Sequence, residues 1–317
     1  MSYIVTKIII VAACDDKYSS HAGALAASVF ANNQDVVVEF NLLTDYMSEE
    51  NQQKFLQLAT TFKQVVKIIH VDKSRFENLP IGQAFEDHIN ISTYFRLLIP
   101  DVFCSENKIL YLDSDMIVRK SLLPLWNSEI RNYAFLGVRD IEEMQQTNPL
   151  RLNYPIEDSY FNAGMGLYNL DYLKQLGFNE IVSEFIANHS NLIICHDQDI
   201  LNACFHGKFK PVSETWNMLN DFLTYRYQYY GEDKTSFEAA KKDCCIVHFT
   251  TAIKPWHKEC QNPYKSDYWK YLKMTPWKDE KPVFFFSNIY QRYMYLLKWR
   301  IKKIISKIGF KRGYIKR

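Results

Sequence analysis

The sequence predicts an α/β fold in which an open, largely parallel sheet is covered by helices. Three observations predict it. In the first third of the chain, short β-branched apolar runs alternate with segments of helical period. Of the 317 residues 47% are hydrophobic, ample material for a core and too much for a disordered chain. Polar clusters follow two of the apolar runs directly, at Asp15-Asp16-Lys17 and Asp113-Ser114-Asp115. Sheets of this kind bind ligands beyond the carboxyl ends of their strands.

The elements follow in order. Lys7–Ala13 reads as a buried strand, short, β-branched and ended by polar residues. Ala22–Ala31 reads as a helix of small residues, and Val36–Leu43 as a second strand. Ser48 to Phe62 reads as a helix, with Ser48 as its N-cap and acids behind it. Val66–Val71 is a third strand. Thr93 to Ile99 is a helical run stopped by Pro100, and Lys108–Leu112 a fourth strand. The second half is less regular, with turn signals at Asn162-Ala163-Gly164 and a basic-aromatic stretch at Lys254-Pro255-Trp256-His257. No repeat, low-complexity segment or early linker is visible, so the expected division is a domain over 1–280 and a tail over 281–317.

Val11-Ala12-Ala13-Cys14 has the look of a lipoprotein cleavage site. The apolar run before it, Ile8 to Ala13, is shorter than the ~7–15 residues of a signal core, and only Lys7 precedes it. A first strand explains it better. Seven scattered cysteines, odd in number and without a CxxC pair, argue against a disulfide framework or structural zinc and for a reducing, cytoplasmic setting. No stretch approaches the ~20 apolar residues of a membrane-spanning helix.

Charge is unevenly spread. From Lys281 to Arg317 there are eleven Lys/Arg and no acid; taking these from the net +2 leaves −9 on the first 280 residues. In the tail, Ile289, Tyr293, Leu296, Leu297, Ile301, Ile304, Ile305 and Ile308 recur at helical spacing, with basic residues between them and Trp299 as an interfacial ring. This predicts an amphipathic helix on an anionic membrane, peripheral to the inner face of the cytoplasmic membrane. A helix docked on the domain with a solvated basic face is the alternative. The acidic body speaks against nucleic acid as a partner.

The strongest chemical signal is Leu112-Asp113-Ser114-Asp115 after a strand-like run. Two carboxylates so close repel unless a cation or donors neutralise them. A hard divalent ion does so and can be shared with a diphosphate; a turn with two solvated acids is the plain alternative. Phe161-Asn162-Ala163-Gly164 sets an amide beside a glycine, where backbone can approach a sugar ring. His196-Asp197-Gln198-Asp199 stands ahead of an apolar helix, and one of its acids suits an N-cap or first-turn role. His248 ends an apolar run as a candidate imidazole ligand, and Lys254 suits a phosphate.

Together with Ala13-Cys14-Asp15-Asp16-Lys17-Tyr18 and Ser92-Thr93-Tyr94-Phe95-Arg96, these segments make the chain resemble the family 8 glycosyltransferases. These are retaining enzymes that include lipooligosaccharide galactosyltransferases and lipopolysaccharide glucosyltransferases. The resemblance runs from Lys7 to about Trp277. It implies a GT-A fold, a Rossmann-like nucleotide-diphospho-sugar domain with a mixed central sheet. It implies that Asp113, Asp115 and His248 hold Mn²⁺, with Mg²⁺ as the alternative ion. Ala13, Asp15 and Lys17 would lie along the uridine. Arg96, Asn162, Asp197 and Gln198 would face the donor sugar, Ser114, Ala163 and Thr251 would join the donor site, and Lys254 would meet the phosphates. Three positions depart from relatives: Cys14 for an Ala, Lys17 for an Asn, and Thr251 for a Gly. If the Thr251 amide touches phosphate, its side chain must point away.

The expected reaction moves galactose or glucose from UDP-galactose or UDP-glucose to a lipid-linked or oligosaccharide acceptor, forming an α-linkage. Retention ordinarily suggests a carboxylate nucleophile. The expected position carries Gln198, a poor nucleophile, which favours front-side displacement, with Asp197 as the alternative nucleophile. Two other functions fit the residues less well: a silent nucleotide-sugar-binding protein and a metal-dependent hydrolase.

Overall fold

A computed structural model describes residues 6–76, 79, 91–223 and 233–307. The strands are β1 (Lys7–Ala13), β2 (Val37–Thr44), β3 (Val65–His70), β4 (Lys108–Leu112), β5 (Met116–Val118), β6 (Phe135–Arg139), β7 (Phe161–Asn169), β8 (Phe209–Pro211), β9 (Met218–Leu219) and β10 (Ile246–His248). The helices are α1 (Ser19–Ala31), α2 (Glu49–Phe62), α3 (Ile99–Val102), α4 (Leu123–Trp126), α5 (Glu142–Arg151), α6 (Leu170–Leu176), α7 (Phe178–His189), α8 (His196–Phe205), α9 (Lys234–Lys242), α10 (Lys265–Leu272) and α11 (Ile289–Lys307).

Seven strands form the main sheet in the order β3-β2-β1-β4-β7-β6-β8, and β5, β10 and β9 form a small second sheet. The first four main-sheet strands are parallel, as the alternating pattern predicts. The second half of the sheet is not: β7 runs antiparallel to both β4 and β6, so the sheet is mixed. No alternation of strand and helix in the second half could have signalled this. β1 and β4 lie side by side at the middle of the whole sheet, which is why their residues are almost continuously apolar and buried. The chain reverses its strand order between these two, and their carboxyl ends open on the crevice where such sheets take ligands.

Helix α1 begins three residues earlier than its apolar run and packs against α10, α2 and β5. Its small residues allow this. A β-carbon on Gly23 would stand 2.5 Å from the Trp277 ring, so only glycine fits there. The Ser48 side chain caps α2 by accepting from Asn51 N, as expected. Pro100 does not stop a helix. Residues Ile91–Leu98 form a 3-10 helix, and Pro100 lies in the first turn of α3, where a missing N–H costs nothing. α11 matches the expected amphipathic tail up to Lys307; Ile308 and the rest lie outside the described residues. Among the described residues, no helix is long and apolar enough to cross a membrane.

Candidate active site at the ends of the central strands

The acidic turn after β4 is the passage from one sheet to the other. Met116 N closes it on the Asp113 carbonyl at 3.1 Å, and Asp113 N donates to the Gly164 carbonyl of β7 at 2.8 Å. Ser114 Oγ donates to the Ala13 carbonyl at the end of β1, at 2.8 Å. The turn is thus pinned to both flanking strands. β10 pairs antiparallel with β5 so that His248 faces Met116, and Phe249 N donates to the Asp115 carbonyl at 3.1 Å. Sheet register therefore delivers an imidazole to the two acids. One ligand atom from each of Asp113, Asp115 and His248 lies within 4.8 Å of the others. They line a cavity of about 430 Å³ together with Arg96, Asp197 and Lys254.

Asp113, Asp115 and Asp197 each meet a basic side chain. Lys254 Nζ lies 2.7 Å from Asp115 Oδ2 and also donates to the Phe249 carbonyl at 2.7 Å. Burial opposes ionisation of Asp115, but Lys254 and His248 outweigh it and hold its carboxyl well below the usual carboxylate range. The buried Arg96 guanidinium bridges two acids, Asp113 at 2.7 Å and Asp197 at 2.8 Å. Burial works against its charge too, and the two carboxylates more than restore it.

A chain of amides fixes how His248 presents itself. The Gly164 backbone N–H can only donate, and it donates to Asn162 Oδ1 at 3.1 Å, which identifies that atom as oxygen. The Asn217 atom bonded to the same oxygen at 2.9 Å must then be its NH₂. Its carbonyl is left to face His248 Nδ1 at 3.0 Å, so Nδ1 carries the proton. Nε2 points at the acids, 3.2 Å from Asp115 Oδ1 and 3.6 Å from Asp113 Oδ2. This is how a metal-ligating histidine is oriented by its outer partner.

The opposite wall is a closed hydrogen-bond network. Gln198 Oε1 accepts from Ala163 N at 3.0 Å, and its Nε2 donates to Asp140 Oδ2 at 2.9 Å. Asn162 Nδ2 donates to the same oxygen at 3.1 Å, and Ile141 N donates to Asp140 Oδ1 at 2.7 Å. Asp197 is held by the Thr93 hydroxyl and by Arg96. Burial pushes the carboxyls of Asp197 and Asp140 up, against these donors. α8 begins at His196 rather than after Asp199. Asp199 is the acid with the structural role: its Oδ2 accepts from Ile194 N at 2.7 Å and Cys195 N at 2.6 Å.

The residues fit a divalent cation. Two carboxylates and an imidazole suit Mn²⁺ or Mg²⁺. Asp115 Oδ1 is buried and accepts no hydrogen bond. A β-carbon on Gly164 would lie 2.3 Å from His248 Cε1 and 2.7 Å from Asp113 Oδ2, so glycine here keeps that space clear.

Of the predicted site residues, Ala13, Arg96, Asp113, Ser114, Asp115, Asn162, Ala163, Asp197, Gln198, His248 and Lys254 all line the cavity. Asp15, Lys17 and Thr251 do not. Asp15 caps the turn at Asp16–Tyr18, accepting from Tyr18 N at 2.8 Å, and Lys17 is exposed. The Thr251 hydroxyl accepts from Asn220 Nδ2 at 2.6 Å. Asp140 and Asn217 were missed, since each lies in a segment without a motif. Tyr18 and Thr93 stood inside matched segments yet also went unassigned; both line the cavity.

A mixed sheet with an Asp-Asp-His cluster at the ends of its parallel strands defines a GT-A-type sugar-nucleotide transferase site. The profile described as glycosyl transferase family 8 matches residues 9–260, and the chain belongs to that family. A lipopolysaccharide 1,2-glucosyltransferase of Escherichia coli is 30% identical over 84% of this chain and 78% of its own. General stress protein A of Bacillus subtilis is 24% identical over 84% of this chain and 94% of its own. The crystal structure of the galactosyltransferase LgtC with donor and acceptor sugar analogues superposes with a TM-score of 0.75. It is 25% identical and covers 85% of this chain and 96% of that one. The fold is GT-A, as the resemblance implied.

Proposed function

We propose that this glycosyltransferase moves galactose or glucose from its UDP-sugar to a glycan acceptor of the lipopolysaccharide or lipooligosaccharide type, with retention and a divalent cation. The juxtaposition of Asp113, Asp115, His248 and Lys254 at one end of the cavity carries this reading. Asp113, Asp115 and His248 would hold Mn²⁺ or Mg²⁺, which when bound offsets negative charge on the diphosphate. Lys254 adds a second positive charge from a fixed position. Arg96 and Asp197 support one side of the sugar pocket, Gln198 the other. Both Asp197 oxygens are engaged, by Thr93 and Arg96, and Gln198 is a neutral amide. This favours front-side displacement. The bond from the anomeric carbon to the phosphate oxygen breaks as the bond to the acceptor oxygen forms, and the acceptor proton passes to the leaving phosphate oxygen. Covalent trapping of a glycosyl group on Asp197 would overturn this route.

The tail supports peripheral binding to an anionic bilayer. Ile289, Tyr293, Ile301 and Ile304 are exposed along one side of α11, in a segment without a single acid. Deleting 288–317 should abolish sedimentation with anionic vesicles; vesicle binding by the truncated chain would end that part of the reading. The direct test of the activity is UDP release from a panel of UDP-sugars, with and without Mn²⁺, in wild type and Asp115→Ala. Release from one hexose donor, dependent on metal and lowered about 10²–10³-fold in the variant, is the expected result. Tight, metal-dependent UDP binding with no turnover on any donor or acceptor glycan would instead favour a silent binding protein.

A further inference from the structure

The loop that carries Lys254 has a second face, turned away from the cavity and joined to the root of the tail. Lys254 N donates to His257 Nδ1 at 2.9 Å, so the turn 254–257 is internally braced. Residues 256–258 then pair with the chain leading into α11. Val283 N donates to the Trp256 carbonyl at 3.0 Å, and Lys258 N donates to the Val283 carbonyl at 2.8 Å. The next residue of the loop, Glu259, is 2% exposed. Its Oε2 accepts from Phe285 N at 3.0 Å, and its Oε1 accepts no hydrogen bond.

A buried carboxylate needs a cation. The cation facing Glu259 Oε1 is Arg292 of α11, with Nε at 3.8 Å. Arg292 also shapes the chain before its helix. Its Nε donates to the Phe286 carbonyl at 2.7 Å and its Nη2 to the Ser287 carbonyl at 2.9 Å. Its guanidinium lies over the Phe284 ring at 3.6 Å, and Lys258 Nζ lies over the same ring at 3.8 Å. One side chain from α11 thus gathers the 284–287 turn and meets the buried carboxylate of the Lys254 loop.

We propose that Glu259 and Arg292 form a latch through which the seating of α11 positions Lys254 against the donor diphosphate. Both are positioning residues, acting through the 256–258 pairing. The inference rests on the reading that Lys254 meets the phosphates. It goes beyond that reading by making the tail part of the donor site.

The test is titration calorimetry of UDP in Mn²⁺ buffer on the full chain. The variants are Arg292→Gln, Arg292→Lys, Glu259→Gln and Lys254→Ala, with Mn²⁺ affinity and thermal unfolding measured alongside. Arg292→Gln and Glu259→Gln should each weaken UDP about five- to tenfold, the scale of one charged contact. The double variant should be no weaker than either single one, because they share one interaction. Arg292→Lys keeps the charge but loses the fork on the Phe286 and Ser287 carbonyls and the stack on Phe284, so it should recover only part of the loss seen in Arg292→Gln. Mn²⁺ affinity should hold throughout the latch variants, since the Asp-Asp-His cluster is untouched; a general loosening of the fold would lower both. Arg292 is partly exposed, so its variants keep the test open if Glu259→Gln fails to fold. If Lys254→Ala weakens UDP while both latch variants bind like wild type, the latch is overturned and the Lys254 reading stands. If Lys254→Ala binds UDP normally, the phosphate reading falls and takes the latch with it.

Discussion

The two ends of the cavity use the same residue types and bond them differently. At the end proposed for the phosphates, Asp113, Asp115 and Lys254 are held by charge, Asn217 holds His248, and the buried Asp115 Oδ1 accepts no hydrogen bond. At the other end, each side-chain nitrogen and oxygen of Asp140, Asn162 and Gln198 has a partner, and Asp197 Oδ2, which accepts no hydrogen bond, meets the Arg96 charge at 2.8 Å. The first arrangement keeps an acceptor in reserve for a cation that binds and leaves. The second fixes dipoles in advance, as recognition of a neutral polyol demands. If the contrast is real, substitutions at the two ends should fail in different measurements.

The largest effect is expected where the reserved space is filled. Gly164→Ala sets a methyl against His248 and Asp113, so Mn²⁺ affinity should fall about a hundredfold, at the upper end for disturbed metal sites. Calorimetric titration of Mn²⁺ would measure it, and an unchanged affinity would mean the ion sits elsewhere. Next is Asn217→Leu, which removes the partner of His248 Nδ1 and leaves a buried N–H unsatisfied. About a tenfold loss of Mn²⁺ affinity is expected, with donor-sugar discrimination kept. At the far end, Asp140→Asn turns an NH₂ toward either Ile141 N or the Gln198 and Asn162 amides. Turnover should drop about tenfold, the worth of one hydrogen bond in the transition state, while UDP affinity in Mn²⁺ stays as in wild type. A parallel loss of UDP affinity would break the division between the ends.

What could be read from sequence follows the same division. The two acids were legible as a candidate metal site because they stand two residues apart after an apolar strand, where such a pair repels unless a cation or donors neutralise it. His248 and Lys254 were legible through the family resemblance. Asp140 and Asn217 were not, since what places them is the register of β6 and β9 against their neighbours, which no local pattern encodes. The parallel half of the fold was legible from the alternation of strands and helices. The antiparallel β7 was not, because a strand buried on both faces looks alike in either direction. Pro100 misled because proline ends one helix and begins the next with equal ease.

The last prediction concerns stability behind Lys254. His21 stacks on Trp256 at 3.5 Å between ring centroids and bonds the Tyr268 hydroxyl through Nδ1 at 2.7 Å. Burial pushes its pKa down to about 3; Asp115 nearby opposes this, and His257 and Lys254 add to it. The folded chain therefore keeps His21 neutral down to about pH 3, while the unfolded chain takes up a proton below about pH 6.5. More protons bind to the unfolded state in that window, so this histidine's contribution is full above it and is lost as pH falls. The loss is about 0.8 kcal/mol near pH 6 and grows by about 1.4 kcal/mol for each unit below. Asp140 and Asp197, whose carboxyls burial pushes up, act in the opposite sense, so total stability does not isolate the term. The difference between wild type and His21→Phe does. Denaturant unfolding of both between pH 7 and pH 5 should show the variant losing less stability. Parallel curves would mean that His21 is charged beneath Trp256 and that the ground behind Lys254 is wetter than its packing implies.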